Sequence, residues 1–207
     1  MNAAEGRSRN RRGEGSRLRE EIVRAAAEIL DEGGSEDAVT LRAVARRIGI
    51  AAPSIYRHFT DRDQILLAVV REAFAELKER IEAELAEMDK PDARLRSVCT
   101  TYLDFALERP KRYRILFGGV WNAARAAENP EMTPAAEQIG QDVFALLAQA
   151  VQDCADAGLS RSTSAFSDAT ALWAGLHGLA ELRPAAPMFP WPDGVLAVLV
   201  DRLALLD

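Results

Sequence analysis

The stretch that decides the fold is "TLRAVARRIGIAAPSIYRHFTDRDQILLAV", Thr40 to Val69. Leu41, Val44, Ala45 and Ile48 recur at the spacing of one helix face, with Thr40 ahead of them as a cap and Gly49 behind as a stop. A shorter helix is read over Ala52 to His58, with Pro53 in its first turn, where a missing N–H costs nothing. Asp61 then caps a long helix, with Gln64 placed to return the bond as a capping box. Ile65, Val69, Ala73, Leu77, Ile81, Leu85 and Met88 carry its apolar stripe toward Pro91. Two short helices joined by a glycine turn match the spacing of a helix-turn-helix, with Ala43 as the small residue, Gly49 as the turn and Ile55 as the core contact. Placing Leu41, Val44, Ala45, Ile48, Ile55 and Phe59 inside leaves Ser54, Tyr56, Arg57 and His58 outside. Such a face, hydrogen-bonding groups around an aromatic, suits phosphates and base edges in a major groove.

Working outward, the chain of 207 residues is 48% hydrophobic and 6% aromatic, enough for a real core. No run alternates long enough to read as a strand, and Ala, Leu, Glu and Arg dominate, so the fold class is all-α. Residues 1–15 are poor in apolar side chains and read as a disordered arm. Arg7, Arg9, Arg11, Arg12, Arg17 and Arg19 make the first 19 residues locally +4 against Glu5 and Glu14. Leu18, Ile22, Ala25, Ala26, Ile29 and Leu30 mark the first helix, which ends at Gly33-Gly34. The domains are therefore the arm over 1–15, a helix-turn-helix domain over 16–62 and a C-terminal domain over 63–207. Further helices are expected at about 92–108, 110–124, 133–157, 163–182 and 193–205.

Net charge is −6, yet residues 1–63 carry 12 Arg against 11 acids while the rest holds the acidic excess. An acidic total leaves room for a polyanion partner at a local positive face. Cys99 and Cys154 are isolated, without metal or redox spacing, and are expected to be reduced and buried. The Arg-rich start has no apolar signal region, and no uncharged run has the length of a membrane span, so a cytoplasmic location is expected.

The quoted stretch resembles the DNA-binding segment of the TetR family of transcriptional regulators, over about Arg17 to Leu77. The shared pattern is a Thr cap, a small-residue helix, Gly-apolar at the turn, then a Tyr-x-His-Phe run and a polar cap before a long helix. The resemblance implies that Thr40 and Arg42 meet DNA from the first helix of the unit. Ala52, Pro53, Ser54, Tyr56, Arg57 and His58 fall on the recognition helix, and Arg62 falls where a basic residue meets phosphate. One departure stands out: many members have Ser or Thr at the position of Ala51, so the recognition helix lacks its usual cap, worth about 1 kcal/mol.

Beyond the long helix, "ALWAGLHGLAEL" (Ala171–Leu182) is similar to the Trp-x-x-x-His-Gly signature of a TetR C-terminal class known as the WHG domain. "RPKRYRILFG" (Arg109–Gly118) resembles the Pro-x-x-Tyr-x-x-x-Phe stretch of the same class. Trp173 and His177 lie one turn apart, and Gly178 leaves room for a neighbouring backbone. With Phe166 and Thr170 they form an apolar face with polar handles, while Tyr113, Phe117 and Trp121 make a second aromatic face. Between them a pocket for a mostly apolar small molecule is expected. Leu172, Leu176 and Leu179, with Val195, Leu199 and Arg202 on the last helix, form stripes that, exposed on a monomer, demand a partner. In the resembled family these two helices from each subunit build a four-helix dimer interface.

The reading is a homodimeric, ligand-responsive regulator of a palindromic DNA operator, most often a repressor in that family. No nucleophile–base pair, paired carboxylates or phosphate loop is visible, so no enzyme, cofactor or metal is expected. The alternatives are a DNA-binding regulator without a small ligand, under protein control, and a thiol sensor built on Cys99 and Cys154.

Overall fold

A computed structural model of the chain describes residues 14–33, 36–118 and 138–207. Every element in these segments is helical, apart from one isolated bridge between Ser160 and Leu206. The chain divides into two compact units, one up to Val69 and one from Val70.

The first unit holds α1 (Glu14–Gly33), a 3-10 turn (Glu36–Ala38), α2 (Leu41–Arg47), α3 (Ala52–Ile55) and the start of α4 (Arg62–Leu85). Ile22, Ala26 and Leu30 of α1 close on Val39, Val44, Ile55, Phe59 and Ile65, all buried. The Arg19 guanidinium lies 4.5 Å from the centre of the Phe59 ring, covering it with a cation–π contact. The third helix is shorter than its sequence suggests, ending at Ile55 rather than His58. The His58 N–H bonds Ile55 O at 2.8 Å, an i→i−3 bond that tightens the chain into a turn.

Asp61 caps α4 by accepting the Gln64 N–H at 2.9 Å. Gln64 Oε1 returns the bond to the Thr60 N–H at 3.1 Å, one residue earlier than a standard capping box. The helix stops at Leu85, short of Met88. There the Arg94 guanidinium donates to Leu85 O at 3.0 Å and Met88 O at 2.8 Å, satisfying carbonyls that the helix end leaves unpaired.

The second unit continues with α5 (Pro91–Glu108), α6 (Pro110–Phe117), α7 (Gln141–Asp156), α8 (Ala165–Ala185) and α9 (Val195–Leu203). The sequence places helices over 110–124 and 133–157; their parts at 119–137 lie outside the described residues. Helix α8 packs against α5, α7 and α9. This corrects the expected dimer stripe. Leu172, Leu176 and Leu179 are 0%, 1% and 5% exposed and belong to the subunit's own core with Leu95, Phe105 and Val151. Periodicity marks a buried face but not whether the burying neighbour is the same chain.

The surfaces α8 and α9 leave open are turned away from that core: Ala171, Ala174 and Leu182 on one, Val198 and Arg202 on the other. Val195 and Leu199 are half-buried between the two. Gly178 is likewise not the point of close approach, since a Cβ there would meet nothing within 4 Å. Gly175 is: a Cβ would sit 3.0 Å from Leu199 and Leu203 side-chain carbons, so its absence lets α9 seat on α8.

Candidate nucleic-acid interface and apolar cavity

The reading head is built from local chemistry. Thr40 Oγ1 accepts the Ala43 N–H at 3.0 Å, capping α2 while keeping its own proton to donate. Gly49 turns the chain at φ +69° with open space around it, so backbone conformation alone requires glycine. The Ile50 N–H closes the turn onto Ala45 O at 3.0 Å. Ala51 provides no side-chain cap to α3, the departure seen in the sequence. Pro53 stands in the first turn of α3, and its missing N–H is one the helix has no partner for.

The residues assigned to DNA lie on this unit with different degrees of exposure. Tyr56 is 57% exposed and Thr40, Arg42, Pro53 and Arg57 are exposed, whereas Ala52, Ser54, His58 and Arg62 are half-buried. Arg62 is held by acids, with Asp37 at 3.2 Å, Asp63 at 3.7 Å and Glu36 at 3.8 Å. Arg47 is tied back to Glu28 and Glu32 of α1. Arg42, Arg46 and Arg57 carry no ion pair among the described residues. Residues 1–13 of the Arg-rich arm lie outside them.

The second unit contains a cavity of about 850 Å³ between α4, α5, α7 and α8, with Phe117 closing one side. Its wall is aliphatic and aromatic, with Phe74, Tyr102, Phe117, Phe144, Phe166 and Trp173 as its rings. These pack edge-on or tilted, Phe74 on Phe117 at 5.8 Å, Phe144 on Phe166 at 5.3 Å and Phe117 on Trp173 at 6.1 Å between centroids. Gly140, at φ +73°, lets the start of α7 tuck against Phe74, whose ring would lie 3.0 Å from a Cβ there.

Of the expected pocket residues, Phe117, Phe166 and Trp173 line this cavity. Tyr113 and His177 stand behind the wall, and Thr170 is exposed with its hydroxyl donated to Phe166 O at 2.7 Å. Trp121 lies outside the described residues. Phe74, Tyr102 and Phe144 were not anticipated. Phe74 interrupts the i, i+4 stripe of α4, and Phe144 precedes the apolar run of α7; both are lone rings at helix positions that an apolar-stripe reading passes over.

Behind the wall runs a buried polar chain. Tyr102 and Tyr113 hydroxyls meet at 2.9 Å, and the Tyr113 hydroxyl meets His177 Nδ1 at 2.6 Å. Burial pushes the Tyr102 hydroxyl up to about 12 and raises Tyr113 further, so both stay protonated at neutral pH. Burial also pushes the Cys99 thiol up to about 12 and Cys154 to about 11. A sensor thiol needs a populated thiolate and access, and these two have neither. The described residues contain no His, Cys, Asp and Glu group arranged to hold a metal, and no helix among them is long and apolar enough to cross a membrane.

Comparison with known proteins agrees with both units. Residues 22–69 match the family described as "Bacterial regulatory proteins, tetR family". Residues 95–204, over half of the chain, match "Tetracyclin repressor-like, C-terminal domain". Among solved structures, a protein of unknown function from Rhodococcus sp. RHA1 superposes with a TM-score of 0.75 at 24% identity, covering 92% of this chain and 96% of that one. A tetR-family regulatory protein from Rhodococcus RHA1 gives a TM-score of 0.65 at 19% identity, covering 90% and 94%. The transcriptional regulator FadR from Bacillus subtilis, in complex with stearoyl-CoA, gives 0.68 at 14% identity, covering 89% and 97%. The local chemistry of the reading head and the matches over both units together make this chain a member of the TetR family, a transcription regulator with a DNA-binding helix-turn-helix.

Proposed function

We propose that the protein binds a palindromic operator as a homodimer, acts as a repressor, and is released by a small, mostly apolar effector held in the second unit. The observation that carries the effector is the 850 Å³ cavity, whose ring-lined wall has the size and character of a small-molecule site. A regulator of the same fold, the Bacillus subtilis FadR, was solved with a long-chain acyl-CoA, which supports an elongated apolar occupant. A ligand moves operator affinity only by its different affinity for the two states, a coupling of about 1–3 kcal/mol.

At the DNA, Thr40, Arg42, Tyr56, Arg57 and Arg62 serve the phosphates, while Ala52, Pro53, Ser54 and His58 approach base edges. The dimer forms through the open faces of α8 and α9, with Ala171, Ala174, Gly178 and Leu182 of one helix and Val195, Val198, Leu199 and Arg202 of the other. Small residues there let the helices of two subunits come close. The protein is a binder and not an enzyme, and it works without a cofactor in the cytoplasm.

The test begins with an operator selected from random duplexes by the purified protein. A palindromic consensus, tight binding by wild type and loss of binding in Tyr56→Ala with an unchanged thermal transition support the reading. Apolar ligands that bind the protein but leave its affinity for the selected operator unchanged refute the release step.

A further inference from the structure

The polar chain behind the cavity has a direction, and the direction sets what the cavity accepts. The Tyr113–His177 contact, at 2.6 Å, is shorter than N–H···O bonds run and falls where O–H donors lie. Tyr113 is therefore the donor and His177 Nδ1 the acceptor, with the imidazole proton on Nε2. A tyrosine hydroxyl has one proton to give. Since Tyr113 has spent its own on His177, the 2.9 Å contact with Tyr102 requires Tyr102 to donate to Tyr113. Tyr102, which lines the cavity, is left with acceptor capacity and no proton.

The remaining polar groups of the wall do not restore a donor. The Trp173 indole N–H acts on that same Tyr102 oxygen as a hydrogen-bond donor, so it is not left over for a ligand's acceptor. Gln149 and Gln152 are exposed and give their amide protons to Asp153 and Asp156 at 2.8 Å, one turn on. Gln141 is exposed and already engaged. No Lys or Arg is among the lining residues, so a carboxylate or phosphate has no counter-charge within the described wall.

We infer that the cavity takes a neutral, apolar molecule bearing one hydrogen-bond donor, a phenolic or alcoholic hydroxyl, which donates to the Tyr102 oxygen. This rests on the effector reading above and narrows it. A ligand ether or ester lacks the proton that Tyr102 needs. A carboxylate brings a charge with nothing to balance it, plus one more acceptor where an acceptor already stands. Tyr102 is the positioning group for the ligand, and Tyr113 and His177 act through it by fixing which way its proton points.

Three matched probes test this on the full chain by calorimetric titration: 4-octylphenol, its methyl ether 4-octylanisole, and 4-octylbenzoate. The phenol is expected to bind about three- to tenfold more tightly than the anisole, the span of one net hydrogen bond, with the benzoate weakest. Tyr102→Phe should erase the phenol's advantage and leave anisole affinity within about twofold. Tyr113→Phe is the sharper variant. It removes the acceptor of the Tyr102 proton, frees that proton for the ligand, and should raise anisole affinity so that the preference shrinks or reverses.

Anisole or benzoate binding as tightly as the phenol in wild type, or a phenol preference that survives Tyr102→Phe, overturns the inference. Probes that bind with the expected preference but leave the selected operator bound overturn the release reading and keep the inference. If none of the probes binds, both fall.

Discussion

Leu172→Ala separates a core residue from an interface residue, because the two roles predict different observables. Leu172 is fully buried in the core of the second unit, against side chains of the same chain. Truncating such a leucine costs about 2–5 kcal/mol, the transfer term plus the cavity left behind. For a chain of this size each kcal/mol moves the midpoint by roughly 2–4 °C, so Tm should fall by about 4–20 °C. Subunit mass, measured by light scattering over a hundredfold range of concentration well below Tm, should stay that of wild type. Ala174→Glu with Val198→Glu should do the reverse on the open face, giving monomers at concentrations where wild type is dimeric. Part of any Tm change in that pair will scale with protein concentration, as expected when dissociation is linked to unfolding. A Leu172→Ala protein that dissociates while its Tm holds would refute the placement of that leucine in the core.

Gly49→Ala should cost about 1 kcal/mol from backbone strain alone, since the space for a methyl is open; a several-fold larger loss measured by denaturant unfolding would mean a clash at the turn. Thr40→Ala should lose about 1 kcal/mol of cap while Thr40→Ser keeps it, with urea midpoints as the measure and equal midpoints for the two variants as the contrary result. Cys99, raised from 9.0 to about 12, stabilises the fold fully below pH 9 and loses that contribution as pH climbs to 12, with Cys154 and the two buried tyrosines adding to the same trend. Stability should therefore decline through that alkaline window, and a Cys99→Ala Cys154→Ala protein should decline less steeply. Native protein at pH 8 should react with a thiol reagent only at the rate at which it opens; rapid labelling of either cysteine would return the thiol-sensor reading to contention.

The head was legible because its determinants are local. Thr40, Gly49, Asp61 and Gln64 act within a few residues of themselves, so spacing alone predicts what they do. The all-α class followed from stripes that length and composition allow no other element to satisfy. Leu172, Leu176 and Leu179 were recognised as an apolar face but assigned to the wrong neighbour, because burial by the same chain and burial by a partner leave the same periodicity. The cavity was half legible. Phe117, Phe166 and Trp173 sat in aromatic patterns, whereas Tyr102 meets Tyr113 and His177 across loops and helices that no local rule connects. His177 was expected to touch the ligand; its ring instead accepts a proton from behind the wall.

The acids around Arg62 bear on how the protein responds to ionic strength. A cation that meets DNA from bulk water displaces a condensed counterion from the phosphate, and each such exchange steepens the fall of affinity with salt by about 0.9 on a log–log scale. Arg62 reaches a phosphate only by leaving Asp37, Glu36 and Asp63, and those carboxylates then gather small cations of their own. One ion is released at the DNA while another is taken up on the protein, so this contact adds almost nothing to the slope. Arg47, bound to Glu28 and Glu32, is in the same position. Within the described head the salt sensitivity is thus carried by Arg42, Arg46 and Arg57, and Asp37→Asn should steepen it by converting Arg62 from an exchanged partner into an uncompensated one.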